Sequence, residues 1–210
     1  MDFLLENNEV QLEGVVDSEP ILSHEIYGEV FYKFYILVSR LSECVDRILI
    51  TASERILKSI NLLKGASIQI EGQYRSYNNY SGEGSKLILT VFAKNIYPMT
   101  KTLLSPNYIY LNGYVCKEPT YRTTPFGREI ADILLAVNRH YGKSDYIPCI
   151  AWGRNAKYCA DLAVGTNLKV WGRIQSRGYK KKIEDDLYEE RIAYEVSISK
   201  LELIENKRDE

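Results

Sequence analysis

Short stretches of alternating apolar and polar residues run along most of the chain, and this two-residue period is typical of β-strands with one buried face. Val10 and Leu12 alternate with polar neighbours near the start, and Leu168, Val170 and Ile174 do so near the end. Longer strands are predicted at residues 67–77, 87–96, 167–178 and 191–203. The pattern therefore predicts a protein built mainly from strands.

Two stretches show instead the period of an amphipathic helix. The first has Ile56, Ile60 and Leu63 on one face, with Ser53 placed to cap its start and Gly65 placed to end it. The second repeats that spacing with small residues and again ends at a glycine: Ala156, Cys159, Ala160, Ala163 and Gly165. One short helix is therefore predicted in each half of the chain.

The chain repeats itself with an offset of about 99 residues. The opening of the first copy returns in the second, where Asn8, Leu12, Gly14, Glu19 and Pro20 match Asn107, Leu111, Gly113, Glu118 and Pro119. Later matches pair Arg40 with Arg139, Asp46 with Asp145, Gly72 with Gly172 and Ser76 with Ser176, the last two after one inserted residue. Two copies of this length suit two small domains, which we expect at residues 1–104 and 105–210.

Each copy has the same predicted order of elements: three strands, one helix and two long strands. A connection that contains proline and glycine follows the first strand of each copy. In ~95 residues, this is the order of an OB fold, a small Greek-key barrel. The predicted fold class is therefore all-β, with two tandem OB-fold Greek-key barrels that each carry one short helix.

The composition, with 45% apolar residues, is that of a globular chain. No run approaches the ~18 apolar residues that a membrane-spanning helix needs, and the N-terminus is acidic where a secretory signal would be basic, so we expect a cytoplasmic protein. The cysteines form no CxxC pair, so neither a zinc site nor a disulfide framework is predicted. Reduced, mostly buried thiols are expected at Cys44, Cys116, Cys149 and Cys159.

The motifs of catalysis are absent from the sequence. Gly142–Lys143–Ser144 resembles the end of a phosphate-binding loop, but Val137 stands where that loop needs a glycine. No GxSxG, HExxH or GxGxxG pattern occurs. We interpret the acidic run Glu184–Asp185–Asp186 as a solvated loop and not as a metal site. The sequence therefore predicts no enzyme activity, no cofactor and no metal.

The total charge hides an uneven distribution of charged residues. The chain carries 27 basic and 28 acidic side chains, a net charge of −1. Residues 117–182, however, carry 13 basic and 5 acidic groups, a net charge of +8, whereas residues 1–104 and 183–210 are both acidic. A basic stretch of this density is typical of a surface that binds a phosphate backbone.

Alternation places aromatic and basic side chains together on the outer face of the second copy. In one strand three cations surround a tryptophan: Lys169, Trp171, Arg173 and Arg177. Tyr146 and Trp152 share a face of the preceding strand, and Tyr179 follows at the start of a predicted loop. Rings among cations suit sequence-independent binding of a single strand, since every base can stack and every phosphate is charged.

Each ring also has a purely structural interpretation. Trp152 could fill an end of the barrel, and Trp171 could pack at a subunit or inter-barrel interface. Tyr141 and Tyr179 could be ordinary half-exposed loop residues. The grouping of the rings favours binding more than any one of them does alone.

The second copy resembles the bacterial single-stranded DNA-binding protein (SSB) family over residues 107–203. NYIYLNGYVCKEPTYRTTPFG is similar to the opening strand and turn of that family. LLAVNRHYGKSDYIPCIAWGRNA is similar to its aromatic-led central strand, and WGRIQSRGY to its hairpin. Several short matches in the right order and spacing are more specific than any single one.

The resemblance implies an OB fold that stacks bases on Tyr141, Tyr146, Trp152 and Tyr179. Trp171, which stands where the family usually has an acidic residue, is a further stacking candidate. Phosphate contacts are expected from Arg122, Arg139, Arg154, Lys157, Arg173, Arg177, Lys180, Lys181 and Lys182. The first copy aligns less well, and only secondary contacts are expected there, from Arg75, Tyr77 and Tyr80.

The sequence is therefore interpreted as that of a protein that binds and protects single-stranded DNA in replication, recombination or repair. Family members with two OB folds per chain form homodimers, so the resemblance implies a homodimer with four OB folds. The chain ends at ENKRDE without the long linker and acidic tip typical of the family, so replication or repair partners are not expected to bind through such a tail. The alternative is a primosome-like OB-fold scaffold that acts mainly through protein contacts, which the acidic first copy favours.

Overall fold

The computed structural model describes residues 6–79, 87–99, 107–184 and 187–204. Within these ranges, five side chains lie outside the description: those of Tyr141, Lys181, Ile183, Glu184 and Leu187. Twelve strands form one sheet, and two short helices lie between strands. The prediction of an all-β protein is confirmed.

The two halves of the chain have the same order of elements. The first consists of β1 (Asn8–Val16), β2 (Ile21–Ile26), β3 (Glu29–Ser39), β4 (Val45–Ser53), α1 (Glu54–Lys58), β5 (Ser67–Asn78) and β6 (Leu87–Pro98). The second consists of β7 (Asn107–Val115), β8 (Thr120–Thr123), β9 (Glu129–Asn138), a 3₁₀ turn (His140–Gly142), β10 (Ser144–Trp152), α2 (Arg154–Ala160), β11 (Asn167–Glu184) and β12 (Leu187–Ile204).

Each half closes into a barrel because its first strand pairs on two sides. The sheet order is β2–β3–β4–β6–β5–β1–β7–β11–β12–β10–β9–β8, and the additional pairings β1–β3 and β7–β9 close the two barrels. The barrels are joined edge to edge, since β1 and β7 pair in antiparallel fashion. The predicted boundary between residues 104 and 105 lies outside the described residues.

Both predicted helices are shorter than the sequence pattern indicated. α1 ends at Lys58 and does not reach Gly65. The amide and the hydroxyl of Ser59 both donate to the Ile56 carbonyl, at 3.1 and 2.7 Å, and this local bonding competes with a further helical turn. α2 likewise ends at Ala160, although Ala156 and Cys159 are buried as predicted.

Three segments that were expected to be irregular are strands. The connections after the first strand of each copy contain the short strands β2 and β8, which pair with β3 and β9. Residues 180–182, expected to begin a loop, continue β11 and pair with β12 as far as Glu184. The correct order in each half is therefore four strands, a helix and two strands.

A single buried hydrophobic cluster extends through both barrels. Val10 and Leu12 on β1 and Ile109 and Leu111 on β7 have no solvent exposure, so the joined strands carry the core from one barrel to the other. The alternation that predicted inward-facing residues is confirmed here.

The repeated glycines Gly72 and Gly172 lie where two strands approach each other closely. Each follows a β-bulge in its strand. A Cβ atom at Gly72 would lie 2.3 Å from the Phe92 carbonyl oxygen, and one at Gly172 would lie 2.1 Å from that of Ser197. These contacts exclude any side chain, which explains why both copies have glycine at this position.

The four cysteines are free thiols in different surroundings. Cys149 and Cys159 are buried, Cys116 is half-buried and Cys44 is exposed, so Cys44 departs from the expected burial. Burial raises the pKa of Cys159 to about 11.

Within the described residues, no helix has the length and apolar character needed to span a membrane.

Two matched sets of side chains hold the barrels together beside the β1–β7 pairing. In the first, Asp46 accepts hydrogen bonds from Arg40 Nε at 2.7 Å and from the Ser176 amide of the other barrel at 2.6 Å. Arg40 also donates to the Ser176 carbonyl oxygen at 2.7 Å. We call this set the Asp46 clasp.

The Asp145 clasp repeats this arrangement with the roles of the barrels exchanged. Asp145 accepts hydrogen bonds from Arg139 Nε at 2.6 Å and from the Ser76 amide at 2.5 Å. Arg139 also donates to the Ser76 carbonyl oxygen at 2.9 Å. These residues are matched positions of the repeat, but the repeat alone does not place them at the junction.

Candidate nucleic-acid interface

Tyr146 and Trp152 lie on the same outer face of β10, six residues apart, which corresponds to about 20 Å along a strand. Tyr146 is 48% exposed. Trp152 is half-buried, and its Nε1 donates a hydrogen bond to Ser197 Oγ at 3.2 Å. The strand therefore sets the positions of both residues. The hydrogen bond to Ser197 also orients the Trp152 ring.

The same outer face continues from β10 across β12 to β11. Ser197, which holds Trp152, is opposite Arg173 in the β11–β12 register. Alternation from Arg173 brings Arg177 and Tyr179 to the same side of β11, away from the buried Ile174. The structure thus brings three predicted rings and two predicted cations onto one surface, which we call the outer face.

A buried carboxylate on the outer face was missed by the sequence analysis. Glu195 is 6% exposed, accepts a hydrogen bond from Gln175 at 2.8 Å and lies 3.6 Å from Arg177 Nε. Counting charges by segment had placed Glu195 in the acidic end of the chain. The β11–β12 register instead places it among the cations, where it partly neutralises Arg177.

Replacing Glu195 with glutamine is expected to tighten single-strand binding by up to about fivefold, because Arg177 is 46% exposed and solvent screens its ion pair to ~0.2–1 kcal/mol. The freed cation is also expected to steepen the dependence of affinity on salt by up to about 0.7 in log–log slope. Glu202→Gln on the same strand is the control, because Glu202 pairs with Lys200. Equal effects of the two substitutions on the salt slope would contradict this role of Glu195.

The other predicted cations of the second barrel differ in their surroundings. Arg122 pairs with Asp132 at 2.8 Å and Lys157 with Glu129 at 3.0 Å, and these hydrogen bonds raise the pKa of both cations. Arg154 and Lys180 are exposed and make no ion pair within the described part of the chain, and Lys182 is also exposed. The side chains of Tyr141 and Lys181 lie outside the described residues.

Arg139 belongs to the Asp145 clasp, where its side chain is 29% exposed. Its guanidinium group bonds to Asp145 and to the Ser76 carbonyl oxygen of the first barrel. A phosphate would have to compete with both partners, so the predicted phosphate contact is not the role that this geometry favours.

Trp171 lies on β11 beside the strand that joins the barrels. Its ring packs against Tyr110 of β7 with 5.2 Å between ring centres, and Lys200 Nζ lies 4.5 Å above the ring. The indole therefore has a neighbour on each adjacent strand, which agrees better with the packing interpretation than with a free stacking surface.

The first barrel has a different set of rings and cations at the corresponding positions. Arg47, the counterpart of Tyr146, lies 3.6 Å from the centre of the Tyr35 ring and donates to Asp17 at 2.6 Å. Arg75 lies 4.3 Å above the Phe92 ring, and Tyr77 is 42% exposed. Tyr80 lies outside the described residues.

A group of three packed rings in the first barrel was not predicted. His24 stacks on Phe31 with 4.9 Å between ring centres, and Phe31 packs against Phe92 at 5.4 Å. β2 lies in a segment that was expected to be a loop, and its pairing with β3 brings His24 opposite Phe31.

No group of three or more His, Cys, Asp or Glu residues that could hold a metal ion occurs among the described residues.

The second half of the chain matches a known protein family. Residues 106–204 match the single-strand binding protein family. The single-stranded DNA-binding protein of Enterococcus faecalis is 33% identical over 108 residues, covering 48% of this chain and 55% of that protein. Single-stranded DNA-binding protein A of Bacillus subtilis is 36% identical over 83 residues, covering 36% and 48%. The chain thus spans about half the length of the curated relatives that it matches.

The fold of both barrels together also has a solved counterpart. The crystal structure of wild-type single-stranded DNA binding protein from Thermus aquaticus has a TM-score of 0.76 to this chain at 21% identity. The match covers 97% of this chain and 95% of that one. At this identity the likeness concerns the fold, and it supports the tandem OB-fold architecture.

Proposed function

We propose that the protein binds single-stranded DNA without sequence preference and has no catalytic activity, because residues 106–204 match the single-strand binding protein family. It protects exposed strands in the cytoplasm during replication, recombination or repair. The two barrels, divided near residues 104 and 105, have unequal roles, and the second makes the principal contacts.

The observation that carries the proposal is the outer face of the second barrel. Bases stack on Tyr146, Trp152 and Tyr179, which lie on β10 and β11, the two strands that flank β12. Phosphates bind Arg154, Arg173, Arg177, Lys180 and Lys182 around them. Arg122 and Lys157 join once a phosphate replaces their carboxylate partners. Neither set depends on the identity of the base, so binding is sequence-independent.

The experiment that tests the proposal is the salt dependence of binding to a fluorescently labelled oligo(dT), followed by anisotropy. Each single-strand phosphate that a cation neutralises contributes about −0.7 to the log–log slope. A slope of about −2 or steeper is expected. A folded protein that does not bind the oligonucleotide at low salt would favour the scaffold alternative, in which the barrels contact other proteins.

The proposed assembly is a homodimer with four OB folds, and the Trp171 cluster is its proposed contact. Trp171, Tyr110 and Lys200 lie on strands beside the barrel junction rather than next to Trp152. The Trp171 and Tyr110 rings offer the aromatic area that interfaces favour.

Substitution of Trp171 by alanine is expected to shift the dimer towards monomer by at least tenfold in dissociation constant, because the large buried side chains of an interface carry most of its energy. Sedimentation velocity over a micromolar concentration series measures the shift, and Trp152→Ala is the matched control. A wild-type protein that sediments as a monomer at micromolar concentration would contradict the proposed assembly.

A further inference from the structure

A cleft of about 620 Å³ lies between the two barrels, beside the outer face. Tyr27 and Arg75 line it from the first barrel, and Arg139, His140 and Lys143 line it from the second. The amide of Tyr146, a proposed stacking residue, donates to Ser76 Oγ of the first barrel at 2.8 Å. The strand that carries the proposed stacking rings therefore begins at the edge of this junction cleft.

The junction cleft contains cations that the protein does not neutralise. Asp145, its acidic residue, is engaged by Arg139 and Ser76 in the clasp. Arg75 donates to the neutral Gln73 at 2.9 Å, and neither Arg75 nor Lys143 makes an ion pair within the part of the chain that the structure describes. Burial and the nearby Arg139 lower the pKa of Arg75, and they outweigh the charge of Asp145, which raises it. An anion bound here would stabilise these charges.

The opposite side of the junction has the same backbone arrangement but carries its cations at different positions. The Arg139 amide donates to the Lys143 carbonyl at 2.7 Å. On the opposite side, the Arg40 amide donates to the Cys44 carbonyl at 2.8 Å. Cys44 is therefore the counterpart of Lys143. By the matches of the repeat, Gln175 replaces Arg75 and Arg173 replaces Gln73, so the Arg–Gln pair is kept with its positions exchanged. Both sides keep their clasp residues, so the cations on one side are not needed to join the barrels.

Tyr27 provides an exposed ring at the edge of the cleft. It forms the two-residue turn between β2 and β3 with Gly28, at φ angles of 51° and 80°. Such turns favour Asn-Gly, and a bulky residue in the left-handed region is uncommon. The Tyr27 side chain is fully exposed, so no packing of its ring compensates for the strained backbone of the turn. These features point to a ring kept for contact with a ligand.

We propose that the junction cleft binds a segment of single-stranded DNA as the strand passes from the second barrel to the first. Arg75 and Lys143 bind its phosphates, and a base stacks on Tyr27. This inference rests on the proposed function, and it extends the contacts beyond the outer face to a second site.

The test compares two lengths of oligo(dT), about 8 and about 30 nucleotides, because one OB fold covers about 4–16 nucleotides. Tyr27→Asn removes the ring while keeping a residue that the turn favours. It is expected to weaken binding of the longer oligonucleotide by roughly fivefold to a hundredfold and to leave the shorter one unchanged.

The cations are tested with the double variant Arg75→Ala/Lys143→Ala. It is expected to reduce the salt slope for the longer oligonucleotide by up to about 1.4. The matched control is Lys58→Ala/Lys64→Ala, which removes two first-barrel cations that do not line the cleft. Thermal unfolding checks that each variant is folded.

The outcomes separate the two proposals. A folded wild-type protein that binds neither length would overturn the proposed function itself. If the wild-type protein binds the longer oligonucleotide and the folded cleft variants bind it equally well, the cleft proposal alone is wrong. Equal losses at both lengths would also overturn it, because the contact would then belong to the outer face.

Discussion

Replacing Trp152 and Tyr179 together by alanine is expected to weaken single-stranded DNA binding by about 2–6 kcal/mol, because stacking one base on one ring is worth ~1–3 kcal/mol. Trp152 is held by its hydrogen bond to Ser197, and Tyr179 is 39% exposed on the neighbouring part of the outer face. Both rings are thus placed before DNA arrives. Anisotropy with labelled oligo(dT) at one fixed salt concentration measures the loss.

Two further variants separate stacking from folding. Trp152→Phe/Tyr179→Phe keeps both rings and is expected to lose much less affinity, although it removes the bond to Ser197. Tyr97→Ala removes a ring of similar exposure, 43%, from the first barrel and is expected to bind as the wild-type protein does. A folded alanine double variant with wild-type affinity would show that the rings are not stacking surfaces.

Replacing Asp46 by alanine is expected to lower the free energy of unfolding by about 3–5 kcal/mol, the usual cost of removing one partner of a buried ion pair. The Asp46 side chain has 0% exposure. Its removal leaves Arg40 and the Ser176 amide without their acceptor at the barrel junction. Urea denaturation followed by circular dichroism measures the change.

Asp17→Ala is the matched control for the Asp46 clasp. Asp17 also pairs with an arginine, Arg47, at 2.6 Å in the same barrel, but both side chains are partly exposed. Its loss is therefore expected to cost less than about 1 kcal/mol. Similar losses for the two variants would contradict the importance assigned to the clasp.

The contribution of Asp46 is also expected to depend on pH. Burial raises its pKa, but the hydrogen bonds from Arg40 and Ser176 outweigh burial, and the net pKa is lowered. A lowered pKa in the folded state means that the stabilisation is complete above the unfolded-state value of about 3.9 and is lost as the pH falls through the folded-state value. The stability difference between wild type and Asp46→Ala should therefore shrink in acid.

The outer face shows which parts of the site can be predicted from sequence. Alternation along one strand fixes which side a residue faces, so Arg173 and Arg177 were assigned correctly to the side opposite Ile174. It carries no information about the strand alongside. For that reason Glu195, which the register places among these cations, was counted with the acidic end of the chain.

The barrel junction shows a second limit. The repeat revealed that Arg139 matches Arg40, but a repeat does not state how its two copies pack together. The contact of Arg139 with Ser76 joins residues 63 positions apart and depends on the pairing of β1 with β7. Without that geometry, an arginine in a basic stretch was interpreted as a phosphate contact.

Local backbone bonding explains the remaining differences. Ile56 and Ile60 have helical spacing, but Ser59 bonds to the Ile56 carbonyl and ends α1 early. Tyr27 and Gly28 look like part of a connection, yet they form a tight turn that allows β2 to pair with β3. The periodicity of apolar side chains does not reveal such hydrogen bonds, because they depend on a few atoms at one position.

The most direct test of single-strand binding through the second barrel is tryptophan fluorescence in the variant Trp171→Phe. The chain has two tryptophans, so this variant leaves Trp152 as its sole tryptophan. Titration with oligo(dT) is predicted to quench the emission to saturation at low salt, with weaker binding as salt rises. Unchanged Trp152 emission in a folded protein that binds the oligonucleotide would contradict the stacking site, and absence of binding would contradict the proposed function.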